Sequence, residues 1–180
     1  MPHSIYHFNS SFELVSDSKS EMRINEFLNG GYFSVGRDTI FFCDYLVQEL
    51  KIPKETQIIE SNAFRFSSLK KIEFPDDSQL KIIKDSAFRN LQIEEISIPD
   101  SVVFIGESAF SNCPKLKKVG ISYGSQLKEI GSFAFERTPI ESFLFPFNLT
   151  TVESFAFSEC FQLKTVENYS NEIVFEPHSF

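Results

Sequence analysis

The chain of 180 residues has no Trp, three Cys, three His and seven Gly, and each shortage closes off a class of chemistry. So few glycines, with no Gly-rich strand-to-helix loop, leave nothing to cradle a nucleotide phosphate. His3 and His7 stand four residues apart, but Pro2, Ser4 and Tyr6 supply no third ligand and nothing around them reads as a helix, so no metal is expected there. Cys43, Cys113 and Cys160 include no Cys-x-x-Cys pair and no His neighbour, which points away from metal or catalytic work. Long apolar runs are missing too. No stretch approaches the roughly 18 apolar residues of a membrane-spanning helix. The opening residues Met1 to Phe8 have neither the basic start nor the apolar run of a secretory signal, so the cytoplasm is the expected compartment, with the cell surface as the alternative. Basic residues are outnumbered, 17 Lys and Arg against 25 Asp and Glu, and the net charge of −8 disfavours nucleic acid and anionic lipid as partners. Paired carboxylates such as Glu94-Glu95 and Asp76-Asp77 read as solvated surface rather than acid–base machinery. Neither an enzyme nor a cofactor is expected.

What is abundant is Phe. There are 22 of them within a hydrophobic content of 42%, enough apolar material for a core. They are not scattered. Ala-Phe recurs at Ala63-Phe64, Ala87-Phe88, Ala109-Phe110, Ala134-Phe135 and Ala156-Phe157, and Ser179-Phe180 stands in the same register. The Phe spacings are 24, 22, 25, 22 and 23 residues. Five residues before each lies an apolar residue: Ile59, Ile83, Ile105, Ile130, Val152 and Phe175. Eight before it stand Leu80, Val102, Leu127 and Leu149, with Thr56 and Glu172 departing in the end units.

After each Phe comes a stretch such as Ile72-Glu73-Phe74-Pro75 or Ile96-Ser97-Ile98-Pro99, whose alternation is that of a strand with one wet face. Proline cannot continue a hydrogen-bond ladder, so it marks where the chain leaves the sheet. Ser122 and Tyr169 replace it in two units. A second short extended segment then leads into the Ala-Phe turn. One unit cannot bury its apolar side alone, but stacked units share a continuous core.

These residues resemble the BspA-like, or treponemal-type, leucine-rich repeats, whose unit reads approximately L-x-x-I-x-I-P-x-x-V-x-x-I-G-x-x-A-F-x-x-C. The run Ile98-Pro99 through Val102, Ile105-Gly106 and Ala109-Phe110 to Cys113 matches best. The resemblance covers about Val47 to Phe180. It implies a curved solenoid with a parallel sheet on the concave side, and a family in which surface antigens and adhesins are often described. The expected fold is therefore mainly β: a leucine-rich-repeat solenoid of about five units over residues 47–180, with a small α+β cap over residues 1–46. In that cap Ser20 to Leu28 reads as a helix, followed by strands Tyr32 to Val35 and Thr39 to Phe42.

Cys113 and Cys160 share an inward repeat position two units apart. Strands about 4.8 Å apart put them roughly 10 Å from each other, too far for a disulfide, so reduced structural cysteines are expected. The Phe row reads as core. Function is expected on the outward strand positions, where Lys71, Glu73, Glu95, Ser97, Lys118, Ser142 and Leu144 form a mixed ribbon suited to protein partners. A rival stripe is Ile58, Ile82 and Phe104, six residues before the Phe row. The leading expectation is a protein-protein interaction scaffold, followed by a surface antigen or adhesin and by a structural element of a cytoskeletal or other large assembly. The last unit offers no polar capping segment after Phe180, so end-to-end association through that edge, or continuation as a longer array, is also expected.

Overall fold

The computed structural model describes residues 32–35, 38–43 and 47–180, with only the backbone described at 32–35, 41 and 42. Strands β1 (Tyr32–Val35) and β2 (Thr39–Cys43) form an antiparallel hairpin. Two series then alternate along the chain. The ribbon series is β3 (Glu49–Lys51), β5 (Lys71–Glu73), β7 (Glu95–Ser97), β9 (Lys118–Gly120), β11 (Ser142–Phe145) and β13 (Thr165–Asn168). The second series has two residues per strand: β4 (Ile58–Ile59), β6 (Ile82–Ile83), β8 (Phe104–Ile105), β10 (Glu129–Ile130), β12 (Thr151–Val152) and β14 (Val174–Phe175). Within each series every pairing is parallel, and each strand lies beside its counterpart from the next unit.

The second series forms one eight-stranded sheet that β2 joins through β4, so the hairpin occupies its first edge. The ribbon is divided into β3–β5 and β7–β9–β11–β13. The described residues thus make an all-β solenoid of about six turns. That is one turn more than the five expected, because Ser179-Phe180 completes a turn of its own: the Phe180 ring stacks on Phe157 at 5.5 Å, and the Phe157 N–H donates to the Ser179 carbonyl. The helix expected over Ser20 to Leu28 lies outside the described residues; the described part of that segment is the hairpin.

The core follows from register. Phe64, Phe88, Phe110, Phe135 and Phe157 stack face to face at 4.9, 5.0, 5.2 and 5.3 Å, close to the strand spacing itself. Each stacked pair contributes about 0.5–1.5 kcal/mol beyond area burial. The Ala before each ring is buried, so the backbone of one turn can rest on the next; the Phe88 N–H donates to the Ala109 carbonyl and the Phe110 N–H to the Ala134 carbonyl, both at 2.8 Å. Inward ribbon residues Leu50, Ile72, Ile96, Val119 and Phe143 close the core on one side, and Ile59, Ile83, Ile105, Ile130 and Val152 on the other.

The Ala-Phe turns place a left-handed residue two before the Phe and, in the turns of Phe88, Phe110, Phe135 and Phe157, another two after it. Asn62, Ser86, Asn90, Ser108 and Asn112 fill five of these places with φ between 54° and 66°, and Asn is among the types that tolerate such a conformation best outside glycine. Gly106 and Gly131 serve another need. A Cβ on Gly106 would lie 2.8 Å from the Asp85 nitrogen, and one on Gly131 would lie 2.8 Å from the Glu107 nitrogen, so the close approach of successive turns excludes a side chain.

The position three after the Phe closes the turn. Ser67 and Thr138 donate to the carbonyls of Phe64 and Phe135, and the thiols of Cys113 and Cys160 reach the carbonyls of Phe88 and Phe135, each at 3.1 Å. Cys113 is fully buried, and burial pushes its thiol up to about 12. Cys160 packs against the core from the same inward position but is only partly buried. Neither is in a disulfide.

Candidate protein-binding surface

The outward side chains of the ribbon fall into two columns. One runs Glu49, Lys71, Glu95, Lys118, Ser142, Thr165; the other runs Lys51, Glu73, Ser97, Gly120, Leu144, Glu167. All seven residues picked out from the sequence stand on this face. Lys71, Glu95, Ser97, Lys118 and Ser142 are exposed, and Glu73 and Leu144 are half-buried.

At the β3–β5 end the charges satisfy one another. The Glu73 carboxylate lies 2.6 Å from the Lys71 ammonium and 3.4 Å from that of Lys51. Hydrogen bonding to Lys71 holds the Glu73 carboxyl below its usual range, and the same bond raises Lys71. Such exposed pairs contribute little to stability, but they leave little charge unanswered for a partner. From β7 onward the face changes. Glu95 and Lys118 are neighbours in register, yet among the described residues neither takes part in an ion pair. Gly120 opens a gap in the second column beside Ser97, and Leu144 follows it.

Exposed aromatic rings adjoin this half. Tyr123, Phe147 and Tyr169 stand in the loops that follow β9, β11 and β13, and are 58%, 50% and 44% exposed. Tyr123 meets Tyr169 edge to face at 5.2 Å and Phe147 at 6.4 Å. The Tyr169 hydroxyl donates to Glu167 at 3.2 Å, which raises its pKa. Reading the sequence by its inward columns passed over this trio. The signal was the interruption of the Pro column at Ser122 and Tyr169, with Tyr123 and Phe147 standing one residue beyond that column where earlier units have Asp76 and Asp100.

A second row also escaped notice. Phe133, Phe155 and His178 occupy the left-handed position two before the ladder Phe, with φ of 58°, 61° and 62°. Their rings stack on the outside of the turns at 5.0 and 5.2 Å. Bulky residues are strained there, and the stacking offsets part of the cost. A shallow hollow of about 310 Å³ lies between the loops of Pro114, Arg137, Pro139 and Phe161, but the bidentate Arg137–Glu159 pair at 3.0 and 2.9 Å occupies its charged groups. The rival stripe of Ile58, Ile82 and Phe104 lies in register on the second sheet and is half-buried in all three turns.

The model of the BspA type leucine rich repeat region matches residues 37–180 in six copies. The chain belongs to that family. Among solved structures it is similar to the pneumococcal vaccine antigen PcpA, at 34% identity and a TM-score of 0.61, over 69% of this chain and 30% of that one. It is also similar to a leucine-rich repeat protein of T. pallidum, at 25% identity and a TM-score of 0.68, over 77% of this chain and 66% of that one. A leucine-rich repeat protein from Bacteroides ovatus shares the fold at 21% identity and a TM-score of 0.58, over 98% of this chain and 55% of that one. The chain therefore spans less than two thirds of the length of each. No curated protein matches it. Among the described residues no group of three or more His, Cys, Asp or Glu is placed to hold a metal, and no helix is long and apolar enough to cross a membrane.

Proposed function

We propose that this chain is a non-catalytic protein-protein interaction scaffold, and that its partner sits on the ribbon face around Glu95, Ser97, Lys118, Ser142 and Leu144, with Lys71 and Glu73 at the margin. One observation carries the reading: from β7 to β11 the outward side chains form no ion pairs among the described residues and, Leu144 apart, stand clear of the core that their inward neighbours fill. Stacked turns gather these side chains onto one surface, as repeat proteins do for their partners. No cofactor enters the proposal. Affinity capture from cell extract is the test. A Lys118→Glu/Leu144→Asp variant should lose the partner that the unaltered chain retains, and Ile82→Lys should keep it. The opposite pattern transfers binding to the stripe of Ile58, Ile82 and Phe104.

The likeness to a pneumococcal protein named as a vaccine antigen supports a second reading, in which the same scaffold is displayed at a cell surface. Protease shaving of intact cells tests it. Release of peptides from residues 47–180 is the expected result, and their complete protection until lysis contradicts the surface reading.

A further inference from the structure

The row of loops beside the ribbon is short of one kind of charge. Residues 75–79, 99–103, 122–126, 146–150 and 169–172, which open the segments after β5, β7, β9, β11 and β13, hold no Lys or Arg; Lys81 and Lys128 stand at the far ends of two of these segments, next to the second sheet. The loop after β3 brings one cation, Lys54, and Asp77 engages it at 3.3 Å. The same row carries Asp76, Asp100 and Glu172 together with the three exposed rings. Loops of successive turns are tied directly: the Gln126 N–H donates to the Asp100 carbonyl at 2.8 Å, and the Phe147 N–H to the Tyr123 carbonyl at 3.2 Å. Asp100 thus lies in the loop tied to the one that carries Tyr123, and the Glu167 carboxylate accepts from the Tyr169 hydroxyl at 3.2 Å.

We infer that this row docks an extended protein segment bearing Arg or Lys side chains, which lie over Tyr123, Phe147 and Tyr169 and reach the carboxylates of Asp100, Glu167 and Glu172. The inference rests on the scaffold reading and names the chemistry of the partner. An aromatic face attracts a cation, arginine above all, and exposed carboxylates beside it add to that attraction. A wholly apolar partner would strip water from those carboxylates without replacing it. A polyanion would meet like charge, because residues 141–180 hold six Glu and one Lys among their Asp, Glu, Lys and Arg, a balance of 1 − 6 = −5 out of the chain's −8.

The test uses fluorescence anisotropy at physiological salt with labelled nona-arginine and nona-glutamate peptides. The arginine peptide binds and the glutamate peptide does not. A Tyr123→Ala/Phe147→Ala/Tyr169→Ala variant, which leaves the net charge unchanged, weakens binding about tenfold, and Asp100→Asn/Glu172→Gln weakens it as well. Should the triple variant fail to fold by circular dichroism, Tyr123→Leu/Tyr169→Leu keeps apolar volume while removing two ring faces and is expected to lose affinity in the same direction. Unchanged affinity in the folded aromatic variant overturns the inference, since general attraction to a chain of charge −8 then accounts for the binding. Absence of arginine-peptide binding overturns it too. If the inference fails while Lys118→Glu/Leu144→Asp still releases its captured partner, the scaffold reading stands. If that variant releases nothing, the ribbon site of the scaffold reading fails whatever the peptides do.

Discussion

The first three turns of the solenoid, around Phe64, Phe88 and Phe110, and the last three, around Phe135, Phe157 and Phe180, share one internal register and differ on the outside. In the first half, Lys51, Lys54, Lys71 and Lys84 are all engaged by carboxylates from their own or adjacent turns. Of the large apolar side chains exposed among the described residues, Phe66 alone comes from this half; Tyr123, in the loop that leads into the second half, and Phe147, Phe161, Val166, Tyr169, Val174, Phe175 and Phe180 make up the rest. The inward positions answer to the stack and admit little variety. The outward positions are free of that demand, and the two halves use the freedom differently: the first carries the four paired lysines, while the second, where Arg137 is the only basic residue in ion pairs among the described residues, carries most of the exposed rings.

The largest expected effect sharpens the contrast between an enclosed and an open turn. Phe110 is fully buried and stacked on both faces, whereas Phe180 is 58% exposed and stacked on one face only, with Phe145 and Phe175 at its edges. Phe110→Ala should cost about 3–5 kcal/mol, because the cavity is walled on both sides. Phe180→Ala should cost about 1 kcal/mol, near the stacking contribution of one pair. Denaturant unfolding of both variants measures this, and equal losses would erase the distinction between the halves.

The open turn also bears on association. Val166 and Phe175 occupy the registers that Phe143 and Val152 fill one turn earlier, yet they are exposed where those are buried. End-to-end association of the purified 180-residue chain through this face is expected, visible as a mass in light scattering that rises with concentration and falls back on Phe175→Asp. A constant monomer mass would show that the face is not adhesive.

Thiol chemistry should follow the same gradient. Burial pushes the Cys113 thiol up to about 12, while Cys160 is raised but less enclosed. A raised thiol pKa means less thiolate at pH 8, so Cys160 should be alkylated first in the folded chain, with Cys113 following only on unfolding. Mass spectrometry of the labelled peptides checks the order, and simultaneous labelling would contradict the difference in enclosure.

The smallest effect comes from the charge-paired half. The folded pKa of Glu73 is lowered, so its contribution to stability is present above the carboxylate's ordinary value of 4.5 and is lost as pH falls through the folded value. Because the group is exposed, the change should be slight and should vanish in high salt. Comparing urea midpoints of the unaltered chain and Glu73→Gln between pH 7 and pH 3 would reveal it, and a loss that survives 1 M salt would place the pair in a more enclosed setting.

Much of the fold was legible because it repeats. The Ala-Phe register, the apolar residue five before it and the alternation around Ile72 and Ile96 each recur often enough to be read without a structure, and they position every strand from β4 onward. The outward site was legible in part. Lys118, Ser142 and Leu144 follow from strand alternation, but the aromatic trio sits in loops, where no period announces it, and depends on ring contacts between residues 24 and 46 apart. The Phe133–Phe155–His178 row was hidden for a different reason: it places rings at left-handed positions, where residue preference alone predicts Asn, Ser or Gly. The division of the ribbon between β5 and β7 has no signature in either strand.

The central claim is that binding belongs to the outside of the ribbon side from β7 onward. Hydrogen exchange of the complex captured from extract, compared with the chain alone, tests it most directly. The account predicts new protection in residues 95–100, 118–124, 142–148 and 165–170. Protection confined to the second sheet, around Ile58, Ile82 and Phe104, with the ribbon and its loops unchanged, would contradict it.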